Sequence, residues 1–165
     1  MAENIILDRN LTIEAVRVTE AAAIAAAETM GRGDEKIADQ AAVDAMRTAL
    51  NRLQMAGTVV IGEGERDEAP MLFIGEEVGT GNGPKIDIAL DPLEGTTITA
   101  KGMPNGLAVL ALSEHGGLLN APDVYMDKIA AGPLVPPGAI DLDNTAGENV
   151  ANVAKALGKD TKDVV

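Results

Sequence analysis

The sequence has no cysteine and no tryptophan, and only one phenylalanine and one tyrosine in 165 residues. Without cysteine there are no disulfides, iron–sulfur clusters, thiolate zinc sites or cysteine nucleophiles, a composition compatible with a reducing cytoplasm. With so few aromatics the core must be built from Ala, Val, Leu, Ile and Met; the 46% hydrophobic content is that of a globular chain rather than a disordered one. No apolar run approaches the length of a membrane span, and Met1-Ala2-Glu3-Asn4-Ile5 lacks the basic flank and apolar core of a signal peptide, so a soluble cytoplasmic protein without a membrane partner is expected. Positive charge is also scarce. Thirteen Lys and Arg stand against 26 Asp and Glu, a formal net charge of −13 that opposes nucleic-acid binding. An acidic protein that handles an anion needs local positive charge, and metal ions held by some of its carboxylates would supply it. Most of the acidic surplus reads simply as a solvated surface.

The length suits one domain spanning residues 1–165. Thr12 to Met30 is rich in helix formers and stops at Gly31; Ala38 to Met55 carries Val43, Met46, Leu50 and Leu53 at the spacing of one buried helical face. Thr58 to Ile61 is a short β-branched strand, Met71 to Ile74 a further candidate, and Ile86 to Leu90 and Leu107 to Leu112 two buried strands. His115-Gly116-Gly117 turns the chain toward a partner strand around Val124 to Ala130. A short helix follows from Glu148 to Leu157, stopped by Gly158. Helices first and strands with tight turns afterwards predict an α/β layered domain with a mixed or largely antiparallel sheet.

The densest chemistry lies at Asp91-Pro92-Leu93-Glu94-Gly95-Thr96-Thr97, directly after a strand. Hard cations such as Mg²⁺ and Mn²⁺ select carboxylate oxygens, which Asp91 and Glu94 provide. Pro92 favours a turn after the strand that would bring Glu94 back toward Asp91. Gly95 lets backbone approach a phosphate, and the N–H groups that begin a helix at Thr96 and Thr97 suit an anion. Thr96 is placed to orient a water. The same run also reads as an ordinary polar turn.

A second acidic cluster, Gly62-Glu63-Gly64-Glu65-Arg66-Asp67-Glu68, follows the strand ending at Ile61. Four acids in six positions repel one another unless a cation offsets them, although a solvated loop accounts for the spacing as well. Two strands that both end in carboxylates favour a site at the strand ends. Asp39 reads on local physics as an N-cap or first-turn acid of the second helix. His115 reads as an exposed turn residue and Tyr125 as a packing residue. Asp141-Leu142-Asp143-Asn144 fails as a calcium loop because Ala146 and Asn152 occupy the required glycine and glutamate positions. No phosphate-binding P-loop is present, and Asp67 stands where a dinucleotide fingerprint following Gly62-x-Gly64 needs its third glycine.

Taken together, Gly31-Arg32-Gly33-Asp34 with Ala38-Asp39, the run Val60 to Leu72, Asp91-Pro92-Leu93-Glu94-Gly95-Thr96, and Leu119 to Met126 closely resemble the class II fructose-1,6-bisphosphatases of the GlpX type. The resemblance covers the chain in order. It implies a layered sugar-phosphatase fold related to inositol monophosphatases, with this chain truncated, and divalent Mn²⁺ or Mg²⁺ held by Asp39, Glu63, Asp91 and Glu94. The assignment of Asp39 replaces its capping role. The resemblance further implies substrate contacts from Glu94, Gly95, Thr96 and Tyr125, a water-positioning role for Thr96, and catalytic-loop roles for Glu65 and Asp67. The implied reaction is hydrolysis of the 1-phosphate of fructose 1,6-bisphosphate to fructose 6-phosphate, as in gluconeogenesis, with sedoheptulose 1,7-bisphosphate as a further substrate of some relatives. A homo-oligomer is expected of the full-length protein.

Two departures qualify the resemblance. At Glu35-Lys36 the family commonly has its lysine one position earlier. Members also continue for about as long again, and that further half carries another glutamate ligand and most contacts to the second phosphate. A non-catalytic metal-binding or partner-binding fragment is therefore the competing reading. An inositol-monophosphatase-like phosphomonoesterase is another, opposed by Glu94 where that group has aspartate and by the run Gly62 to Pro70.

Overall fold

The computed structural model describes residues 9–63, 71–119 and 126–164. The chain divides into two compact units, Met1–Pro122 and Asp123–Val165. The first contains α1 (Arg9–Ala27), α2 (Glu35–Leu50), β1 (Ala56–Ile61), β2 (Glu77–Val78), β3 (Lys85–Glu94), α3 (Thr96–Ala100) and β4 (Leu107–Glu114). Its four strands form one open sheet in the order β2-β1-β3-β4. β1 and β3 are parallel, while β2 pairs with β1 and β4 with β3 antiparallel. The expected mixed sheet and its companion helices are therefore present.

The helices begin and end where local chemistry directs. Gly31 and Gly33 adopt left-handed φ values of 74° and 76° between α1 and α2, a conformation that costs a residue with a Cβ. Asp34 is the N-cap of α2, its carboxylate accepting from Ile37 N at 3.1 Å. α1 buries Leu11, Val18, Ala22 and Ala26, spaced by seven or four residues on one helical face, and α2 buries Ala38, Ala42, Val43, Met46 and Leu50. The alanines let α1 and α2 lie close together. Both helices also pack on the sheet, whose Val59, Ile86, Ile88 and Leu90 join the same core. As the aromatic-poor composition requires, the largest fully buried side chains are Met46, Leu50, Met55, Leu72, Ile86 and Ile88.

Two strand expectations fail. Residues 71–74 form no strand: Leu72 is buried, but the segment is fixed by an arginine and by turn hydrogen bonds rather than by a ladder. Of the partner strand expected over Val124 to Ala130, residues 126–130 are without regular structure, and Val124 and Tyr125 lie outside the described residues.

The second unit carries α4 (Ala146–Leu157) and a 3-10 turn at Thr161–Asp163. A reciprocal capping box starts α4: Glu148 N donates to Thr145 Oγ1 at 3.3 Å, and Thr145 N donates to Glu148 Oε2 at 2.8 Å. Asn149 is buried and ties α4 to the preceding turn, accepting from Asp141 N at 3.0 Å and donating to Asp141 O at 2.7 Å.

Candidate metal and phosphate site

Because β1 and β3 are parallel neighbours, their C-terminal ends lie at the same edge of the sheet. Glu63 leaves that edge just after Ile61, and Asp91 and Glu94 occupy the end of β3. Both strands are irregular there. The β1/β3 register shifts between Val59 and Ile61, and the β3/β4 register shifts between Asp91 and Glu94. The turn expected after Leu90 does not form; β3 runs through Glu94 and accommodates Pro92 at a bulge, where a residue with no N–H to donate is tolerated. The bulge re-aims the acidic side chains, and Leu93 N donates to Asp91 Oδ1 at 3.0 Å, fixing that carboxylate against its own backbone. Gly95 follows with φ 95°, and α3 opens at Thr96. The N–H groups of the first turn of α3 have no acceptor within the helix.

Asp39 comes from α2. It is neither the N-cap nor a first-turn acid of α2, since Asp34 holds the cap and Asp39 lies in the second turn. Its position is set by the connector before α2: Gly31 N donates to Thr99 O at 3.0 Å and Gly33 N to Ala100 O at 2.8 Å, joining the start of α2 to α3. Among the described residues, Asp39 Oδ1 is a buried side-chain oxygen without a hydrogen-bond partner. Burial holds its carboxyl above the usual carboxylate range.

The electrostatics record how these groups meet. The Glu63 carboxyl is pushed up to about 8, first by burial and then by the charges of Asp91 and Asp39, with a shared hydrogen bond to Asp91 and the charge of Glu94 adding to it. Glu94 is raised chiefly by a hydrogen bond shared with Asp91 and by that neighbour's charge. Asp91 is thus the hub, with Glu63 and Glu94 as its partners and Asp39 acting on Glu63 from α2. Among the described residues no three such side chains are drawn together as closely as a metal ion requires. The set is juxtaposed rather than converged. Its chemistry nonetheless suits a hard cation: every donor is an oxygen, one buried oxygen is unpartnered, and the mutual repulsion is what a divalent charge relieves.

Glu65, Asp67 and Tyr125 lie outside the described residues. His115 is in a turn and exposed, as its glycine neighbours suggested, yet its ring Nδ1 is 2.8 Å from Asp87 Oδ1. That pairing had a sequence signal. Asp87 is the one charged residue among Ile86, Ile88, Ala89 and Leu90, and it sits four positions before Asp91 on the same strand. Arg47, which proves to hold the segment after the acidic loop, had no such signal.

The family described as "Bacterial fructose-1,6-bisphosphatase, glpX-encoded" matches residues 9–165. The chain belongs to that family. It is 58% identical over 151 residues to the class 2 fructose-1,6-bisphosphatase 1 of Escherichia coli, an alignment covering 92% of this chain and 45% of that protein. A Synechococcus protein named as a D-fructose 1,6-bisphosphatase class 2/sedoheptulose 1,7-bisphosphatase is 50% identical over 170 residues, covering 96% of this chain and 49% of its own length. One of the same name from Thermosynechococcus vestitus is 49% identical over 171 residues with the same coverage. The chain spans about half the length of these curated relatives.

Proposed function

We propose that this family member provides the carboxylate face of a metal-dependent phosphatase acting on the 1-phosphate of fructose 1,6-bisphosphate, in a layered sugar-phosphatase fold. The observation that carries the reading is the effect of Asp91, Asp39 and Glu94 on the Glu63 carboxyl, and of Asp91 on Glu94, at the edge where β1 and β3 end. These four residues would hold Mn²⁺ or Mg²⁺, which when bound would neutralise phosphoryl oxygens and make a water more acidic.

The chain's own part is to bind and orient. Asp91, pinned by Leu93 N, fixes the centre of the cluster. The left-handed backbone at Gly95 carries the chain from β3 into α3, so that its first N–H groups stand beside Glu94, where a phosphate oxygen accepts from them. Thr96, first residue of α3, has the hydroxyl that orients an attacking water. Tyr125 is assigned to the sugar phosphate, and Glu65 and Asp67 to the acidic loop, on family resemblance. The names of the cyanobacterial relatives extend the substrate class to sedoheptulose 1,7-bisphosphate.

A second reading is supported by length. Relatives carry about as much chain again, and a non-catalytic metal-binding or partner-binding chain would keep these carboxylates yet show no turnover even beside that remainder. Phosphate release from fructose 1,6-bisphosphate with Mn²⁺, measured with and without a polypeptide matching the remainder of the relatives, separates the two. Turnover in either arm supports the phosphatase. Metal binding with no turnover in both arms supports the non-catalytic reading.

A further inference from the structure

We propose that Arg47 is a positioning residue for the carboxylate cluster, setting the stance of Glu63 relative to Asp39 by gripping the chain segment against which Gly62, the residue before Glu63, lies. The inference builds on the metal-site reading above. Arg47 lies on α2 two turns beyond Asp39, about 12 Å along the helix at the standard rise. Its Nε donates to Glu76 Oε1 at 2.7 Å, and one terminal nitrogen donates both to Glu76 Oε2 at 3.1 Å and to Met71 O at 2.5 Å. Glu76 Oε2 also accepts from Phe73 N at 3.3 Å. The pair is sheltered, the side chains being 25% and 14% exposed.

Segment 71–76, held on this side by Arg47, is held on the other by β1. Gly75 N donates to Val59 O at 2.7 Å and Val59 N to Glu76 O at 2.9 Å. Leu72 is fully buried, and its carbonyl stands so close to Gly62 that a Cβ there would lie 2.3 Å from the oxygen. Glu63 therefore leaves β1 along a wall whose other side is fastened to the helix bearing Asp39. An arginine fork engaging a carboxylate in two bonds fixes distance and angle together, which an ammonium does not. A well-packed apolar pair would stabilise a sheltered position equally well, so what the ion pair adds is geometry.

The test uses the 165-residue chain, with Mn²⁺ affinity read by electron paramagnetic resonance and the melting temperature measured without metal. Arg47→Met is expected to weaken Mn²⁺ binding at least tenfold and to speed amide exchange at Phe73 and Gly75, with Arg47→Lys intermediate. The double variant Arg47→Met with Glu76→Met is expected to recover the melting temperature but not the affinity, and it carries the test if the single variant does not fold. Affinity unchanged in Arg47→Met, or restored together with stability in the double variant, overturns the positioning role while leaving the metal site standing. Absence of Mn²⁺ binding by the unsubstituted chain overturns both.

Discussion

His115 Nδ1 stands 2.8 Å from Asp87 Oδ1, and the same carboxylate accepts from Gly116 N at 2.6 Å, so a side chain only 6% exposed anchors the turn that closes β4. Those two bonds, that of Gly116 first, hold the Asp87 carboxyl below the usual carboxylate range. Because the folded value lies below the unfolded one, the stabilisation is complete above the ordinary aspartate range near pH 4 and is lost as pH falls through the lowered value. Asp87→Ala is expected to cost about 2 kcal/mol at neutral pH, the scale for hydrogen bonds to a charged group. It is also expected to flatten the acid limb of a plot of melting temperature against pH. An unaltered acid limb would refute the anchor.

Glu63 has the opposite sign. Its carboxyl is raised to about 8, so the folded metal-free chain holds a proton that the unfolded chain releases near its ordinary value of 4.5. Stability from this group is complete below the unfolded value and declines as pH rises through the folded one. Glu63→Gln is therefore expected to raise the melting temperature of the metal-free chain at pH 8.5 relative to the parent, by an amount that vanishes near pH 4. Chelator-treated protein scanned over this range provides the check.

Gly62 tests the contact between β1 and the segment behind it. A methyl group there meets the backbone oxygen of Leu72 rather than the end of a flexible side chain, so the clash is relieved only by backbone movement. Gly62→Ala is expected to destabilise the chain by roughly 1–3 kcal/mol, the usual scale for overpacking. It should also weaken Mn²⁺ binding through displacement of Glu63. Chemical denaturation and metal titration of the same sample would reveal either effect.

At the hub, Asp91→Asn and Glu94→Gln retain shape and remove charge. In a protein completed to the length of its relatives, each is expected to reduce Mn²⁺-dependent phosphate release by at least a hundredfold with little change in circular dichroism. Near-normal turnover in either variant would refute the assignment.

Much of the fold was legible because its signals are local. The helix stop at Gly31, the apolar spacing of Val43, Met46 and Leu50, and the β-branched Thr58 to Ile61 each report on neighbours a few residues away. Errors came where a distant contact overrode the local signal. Met71 to Ile74 is apolar enough for a strand but is held instead by Arg47 from α2. Pro92 predicts a turn, yet pairing of Asp91 with Val109 and of Glu94 with Leu107 carries β3 through it as a bulge.

The sequence by itself determined the chemistry on offer: oxygen ligands without thiols, an acidic chain, and motifs specific enough to identify the family. Which carboxylates share an edge was decided by tertiary structure. Parallel pairing of β1 with β3 places Glu63 beside Asp91 and Glu94, and the bonds from Gly31 and Gly33 to α3 bring Asp39 to the same end. Spacing along the chain cannot fix such distances, because they depend on hydrogen bonds between residues far apart in sequence. The same limit hid Arg47, whose partners Met71 and Glu76 lie 24 and 29 positions away.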